Sequence, residues 1–235
     1  MLMTENATVP DTTYTETLSP TARTTLRRNR VRAQLDRSEL VDVLTAARLC
    51  HLGVIVKGAP LVVPTAFAYD LDGPDQEGTL YLHGSVAATT LGVVGEVCVT
   101  VTVLDGLVLA RSAFHHSMNY RSAVVRGTPR VVEDEEERAV ALDLIVNKLV
   151  PGRTEVVRAN TRKELAATRV VAVPLYEASV KARTGGPVDD DVDVVAGGVW
   201  AGVLPISEHL GAAVPAPDLD RAGADAGPHV SGVIV

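Results

Sequence analysis

The residues best equipped for chemistry are gathered between Ala110 and Gly127, ARSAFHHSMNYRSAVVRG. His115 and His116 are adjacent and could offer a ring nitrogen to a metal or a haem iron. Arg121 could hold an anion, or pair with Glu96 or Asp105 across a sheet. A second group closes the run LYLHGS, where His83, Gly84 and Ser85 end an apolar strand. His83 could donate to a phosphate or contact a flat ring. Ser85 is placed to cap a short helix over Val86–Val94. The free N–H groups of such a helix start, with its partial positive charge, would attract an anion. The same residues have plainer uses: His83 bonded to backbone at a strand end, and His115 and His116 capping a polar loop.

Several common sites are missing from the sequence. No GxGxxG follows a strand, and neither a GxxxxGK[ST] loop nor an HExxH pair occurs. No Gly-x-Ser-x-Gly elbow appears. Cys50 and Cys98 each lie in an apolar run, so they read as small buried hydrophobes and not as a disulfide framework or a metal site. The net charge of -7 argues against nucleic acid and against an anionic membrane surface. No stretch is apolar for the roughly 18 residues that a membrane helix needs. The N-terminus lacks the apolar region of a secretory signal, and the reading is of a cytoplasmic protein.

The elements that must position these residues are mostly strands. Aromatic residues make up only 3% of the chain, so the core is built from Val, Leu, Ala and Ile, and the valine favours strands. Residues 1–22 read as a disordered tail, followed by an arginine-rich arm containing Arg23, Arg27, Arg28, Arg30, Arg32 and Arg37. Ser38 is the expected N-cap of a helix over 39–48. Strands are expected over 51–57, 60–69 and 79–83, then over 96–104 and 107–111 as a hairpin across Asp105-Gly106. A long strand follows from Asn119 to Val132. An acidic start at Glu133–Glu137 opens a helix that Pro151-Gly152 stops, and Thr161 to Glu164 is a capping box. Strands over 169–175, 178–183 and 199–204 complete the set, and residues 206–235 read as a loose tail. Short strands joined by tight turns indicate a mainly β chain, an antiparallel barrel or sandwich with peripheral helices.

Five passages, taken together and in order, resemble the flavin-binding split-barrel family whose type member is pyridoxamine 5′-phosphate oxidase, in its nitroimidazole-reductase-like branch. They are LYLHGS, DGLVLARSAFHHSMNYRS, LVPGR, ASVKARTGGPVDD and VWAGVLP, spread over 23–205. The resemblance implies one domain over 23–205 with a six-stranded antiparallel split β-barrel and short helices. It also implies a homodimer with FMN at the interface. The implied cofactor contacts are Val63, Pro64, Thr65 and Ala66 on one strand, and His83, Gly84 and Ser85 with Thr89 at the turn. Arg121 and Ser122 on the long strand and Trp200 near the end complete the set. Two departures are visible. Relatives carry Arg or Lys after the turn, whereas this chain has Ala87-Ala88-Thr89-Thr90. Gly202-Val203-Leu204-Pro205 replaces the oxidase's substrate-holding arginines and histidine, which argues against pyridoxamine phosphate as substrate.

The function expected on this basis is FMN-dependent reduction of a small nitro compound or quinone, with hydride passing from NAD(P)H through flavin N5. The alternative is a non-catalytic carrier or sensor of flavin, deazaflavin or haem.

Overall fold

The computed structural model describes residues 17–18, 21–92 and 95–217. The expected tails fall largely outside the described residues. Residues 206–217, which are described, carry neither helix nor strand.

Ten strands form one sheet. In chain order they are β1 (Ala33–Gln34), β2 (Leu49–Val56), β3 (Ala59–Asp70), β4 (Thr79–Ser85), β5 (Val97–Leu109), β6 (Ser117–Gly127), β7 (Arg130–Val131), β8 (Thr168–Pro174), β9 (Glu177–Arg183) and β10 (Gly202–Pro205). The spatial order is β1-β9-β6-β5-β2-β3-β4-β8-β7, with β10 added to β5, and every pairing is antiparallel. The sheet curls until the end of β6 approaches β8. A Cβ placed on Gly127 would stand 3.3 Å from Val173 Cγ1.

The described residues form four α-helices, α1 (Arg37–Ala46), α2 (Glu135–Leu149), α3 (Arg162–Ala167) and α4 (Asp191–Ala196), of which the first three pack on this sheet. Alternation along each strand divides the apolar residues into two cores. Inside the curl, Leu52, Phe67, Leu82, Val99, Val125 and Val171 meet Leu40, Val43 and Leu44 of α1. On the other face of β3, β4 and β8, Ala68, Tyr81, Val170 and Ala172 meet Ala141, Leu142 and Ile145 of α2.

Turn chemistry explains most of the connections. Lys57 and Gly58 both have positive φ, as a two-residue hairpin turn demands. Asp134 caps α2 by accepting from the Glu137 N–H, and Thr161 and Glu164 form the expected capping box.

Three expectations are corrected. The cap of α1 is Asp36, whose carboxylate accepts from the Ser38 N–H, so the helix starts two residues earlier than Ser38 implied. No helix forms over the described part of 86–94, where only a 3-10 turn at Thr89–Leu91 is present. The Val86 N–H is taken by the Ala167 carbonyl, and Ser85 accepts from the Ala87 and Ala88 N–H groups, so the chain is tied into a turn.

Asp105-Gly106 is not a hairpin turn but a bulge inside the single strand β5. Arg121 grips the Asp105 carboxylate, and β10 lies against Gly106 so closely that a Cβ there would be 2.9 Å from the Leu204 carbonyl oxygen. Both contacts hold the dipeptide extended, and both come from residues distant in sequence.

Candidate functional site

The sheet opens at one place. β3 pairs with β2 from Ala59 to Ala66, and with β4 only from Phe67 to Asp70. β4 stays paired with β8 over its whole length, Thr79 to Ser85. Beyond the Phe67–Leu82 pair, β3 and β4 therefore part. One lip of the opening is Val63, Pro64, Thr65 and Ala66, and the other is His83, Gly84 and Ser85. These two passages, far apart in sequence, face each other across the split.

The lips differ in chemistry. On β3, Val63 packs towards the barrel core, whereas Ala66 packs against the α2 core. The Thr65 hydroxyl donates to the Ala66 carbonyl at 3.3 Å. On β4, His83 lies on the same face as Tyr81 and opposite Val170. Its Nδ1 is buried and has no hydrogen-bond partner. Burial lowers the affinity of the ring for a second proton, so the imidazole is neutral near pH 7. An unpartnered buried nitrogen costs on the order of 1–3 kcal/mol, so a ligand that pairs with it gains that much. Gly84 leaves no spare room, since a Cβ there would come within 2.8 Å of Leu91 Cδ1. Thr89 is exposed at the start of the 3-10 turn that follows.

Three predicted contacts lie elsewhere in the chain. Arg121 and Ser122 are on β6, which β5 and β2 separate from β3. Arg121 donates to Asp105 from Nε at 3.2 Å and Nη2 at 2.8 Å, and this hydrogen-bonded pairing raises its pKa. The Ser122 hydroxyl donates to the Lys181 carbonyl at 3.4 Å. Trp200 precedes β10 and lays its ring within 2.8 Å of the point where a Gly202 Cβ would stand. A single chain thus brings the β3 and β4 residues together and leaves Arg121, Ser122 and Trp200 apart from them.

Spacing also missed Arg169, which lies on β8 as the cross-strand partner of Gly84. Only the strand register reveals that neighbour, because 85 residues of sequence separate the pair.

The histidine-rich stretch forms the loop from β5 to β6 and is latched to the loop after β9. The Asp189 side chain is 1% exposed and accepts from the Arg111 N–H and Nη1, at 2.8 and 2.7 Å. Burial pushes its carboxyl up, but the Arg111 hydrogen bonds and charge outweigh this and hold it below the usual carboxylate range. His115 Nε2 stands 3.3 Å from Asp190, and His116 Nδ1 stands 2.9 Å from the Ser112 carbonyl. Among the described residues, no group of three or more His, Cys, Asp or Glu is placed to hold a metal ion. No helix of the described residues is long and apolar enough to cross a membrane.

Comparison with known proteins agrees with this architecture. The family model described as pyridoxamine 5′-phosphate oxidase matches residues 36–182. Among solved structures, the flavocytochrome of Azotobacter vinelandii shares 35% identity over 90% of this chain and 96% of its own, with a TM-score of 0.80. The FAD- and haem-binding protein of Mycobacterium smegmatis shares 36% identity over 84% of this chain and 95% of its own, with a TM-score of 0.75. A candidate 5-nitroimidazole antibiotic resistance protein of Bacteroides thetaiotaomicron shares 27% identity over 63% of this chain and 85% of its own, with a TM-score of 0.51. The curated proteins yield no match.

Proposed function

The chain belongs to the pyridoxamine 5′-phosphate oxidase family, and from that premise we propose that it is a flavin-dependent oxidoreductase whose cofactor, FMN or FAD, seats in the split between β3 and β4. The observation that carries this reading is the parting of the two strands, with the unpartnered His83 Nδ1 on one lip and Val63–Ala66 on the other. When bound, the flavin supplies hydride and electron transfer between a reduced nicotinamide and a small oxidised substrate, such as a nitro compound or a quinone. The β3 lip offers short and apolar side chains against which a flat ring system packs. A neutral His83 offers a hydrogen bond without adding charge.

A homodimer completes the proposal. The outer face of β2, β3 and β5 exposes Leu49, Ile55, Val62 and Leu104, with His51 among them, while α2 covers the Ala66–Ala68 end of β3. In this proposal the second copy is the source of Arg121, Ser122 and Trp200, which a single chain holds apart from the split.

A specific observation favours haem as a second cofactor, as in the two relatives described as haem proteins. His116 has its Nδ1 placed to donate to the Ser112 carbonyl, which leaves the Nε2 lone pair facing outward. Metal-ligating imidazoles are usually backed in this way. Phe114, 89% exposed, supplies a flat apolar neighbour in the same loop. His115 is engaged by Asp190 instead.

The visible spectrum of the purified protein tests all of this. The expected result is two flavin bands that bleach with NAD(P)H, in a particle of twice the chain mass by light scattering. Any Soret band should be lost in His116→Ala. A colourless monomer that ignores FMN and FAD overturns the flavin proposal and leaves deazaflavin as the next ligand to try. A Soret band that survives His116→Ala overturns the haem assignment alone.

A further inference from the structure

The flavin reading, on which this inference rests, leaves one difficulty. FMN and FAD carry phosphate, yet the residues directly after the β4 turn are Ala87, Ala88, Thr89 and Thr90. The turn's own N–H groups are also largely spent, because Val86, Ala87 and Ala88 donate within the protein. A phosphate there needs a cation from another element.

Arg169 is that cation by position. It stands opposite Gly84 across the β4–β8 ladder, one strand behind the lip of the split. Its guanidinium reaches to the far end of the same turn. Nη1 lies 2.9 Å from the point where a Cβ on Gly92 would be, so Gly92 leaves it the space it occupies. The two glycines thus bracket the arginine, one beside its backbone and one beside its charge.

Its lack of a partner is the second observation. Four arginines are half-buried on strands: Arg121, Arg130, Arg169 and Arg183. Arg121 is matched by Asp105, and Arg130 by Asp75 and Glu137. Arg183 donates to Asn119 and to the Gly185 and Gly186 carbonyls. Arg169 alone of the four has neither a hydrogen bond nor an ion pair among the described residues. An unpaired guanidinium presents a fork of donors suited to two phosphate oxygens at once.

We propose that Arg169 holds the phosphate of the flavin, taking the place of the basic residues missing after the turn, and that it makes the site selective for phosphorylated flavins over riboflavin. A charge-assisted bidentate contact of this kind corresponds to about 10- to 100-fold in affinity.

The test is a titration of the cofactor-stripped protein with FMN, FAD and riboflavin, followed by quenching of flavin fluorescence, for the wild type, Arg169→Met and Arg169→Lys. The expected result is that wild type prefers FMN or FAD to riboflavin by at least about 10-fold. Arg169→Met should lose about 10- to 100-fold for the phosphorylated ligand with riboflavin unchanged, and Arg169→Lys should recover part of the loss. Added salt should weaken phosphorylated-ligand binding by the wild type more than by Arg169→Met. Equal FMN and FAD affinities in Arg169→Met and wild type overturn the proposal while the flavin reading stands. So does an equal loss for all three ligands, which would mark a damaged fold. A wild type that binds none of the three overturns the flavin reading and this proposal with it.

Discussion

Replacing Arg130 by methionine is expected to lower the unfolding free energy by about 1–3 kcal/mol, less than the cost of breaking a fully buried ion pair because its side chain is 37% exposed and screened by water. Arg130 sits on β7 and donates to Asp75 from Nε and Nη2, at 2.9 and 2.8 Å. It also donates to Glu137 from Nη1 at 2.9 Å and from Nη2. The acids are the more buried members, with side chains 12% and 16% exposed. Thr79 donates to Asp75, and Tyr81 donates to Glu137. Without the arginine, two carboxylates share a poorly hydrated space and repel each other. The cluster ties β7, the loop before β4 and the first turn of α2 into one unit, so it also steadies the wall behind His83. The midpoint of thermal unfolding followed by circular dichroism should fall by roughly 5 °C, given about 2–4 °C per kcal/mol for a domain of this size. The triple variant that adds Asp75→Asn and Glu137→Gln should recover most of the loss, because no charge is then left unpaired. A single variant as stable as wild type would mean that water reaches these carboxylates freely.

Phe67→Ala is the second large effect, at about 3–5 kcal/mol. Phe67 is fully buried, and its pair with Leu82 is the last before β3 and β4 part. Its ring packs in the barrel core and lies 4.8 Å from Lys148 Nζ, which donates to the Leu44 carbonyl at the end of α1. Truncation therefore leaves a cavity at the hinge of the split and strips Lys148 of an aromatic neighbour. Phe67→Leu refills most of the volume and should cost less than about 1.5 kcal/mol. Denaturant midpoints for the two variants separate these outcomes. Equal midpoints would show that the core collapses around the missing ring.

The comparison of sequence with structure has a physical pattern. Features fixed by neighbours in the chain are readable from residue types. The capping box at Thr161, the acidic start of α2 and the tight turn before β3 are of this kind. Features fixed by distant contacts are not. Asp105-Gly106 has the chemistry of a hairpin turn, and only Arg121 and β10 make it a bulge. In place of the helix expected after Ser85 there is a turn and a 3-10 segment, and the Val86 N–H is bonded to a carbonyl from residue 167. The two lips of the split are known from sequence only through a family resemblance, because their opposition depends on where β3 changes partner. Arg169 escapes notice for the same reason: its neighbour Gly84 is set by the β4–β8 register.

The central claim is that a flavin occupies the opening between β3 and β4. Amide hydrogen exchange with and without FMN or FAD tests it most directly, because it reads each strand separately. The account predicts slowed exchange at residues 62–66, 83–92 and 168–170, with little change at residues 130–149. Bound flavin without protection on either lip, or with protection confined to the loops around residues 110–116 and 184–200, would contradict it.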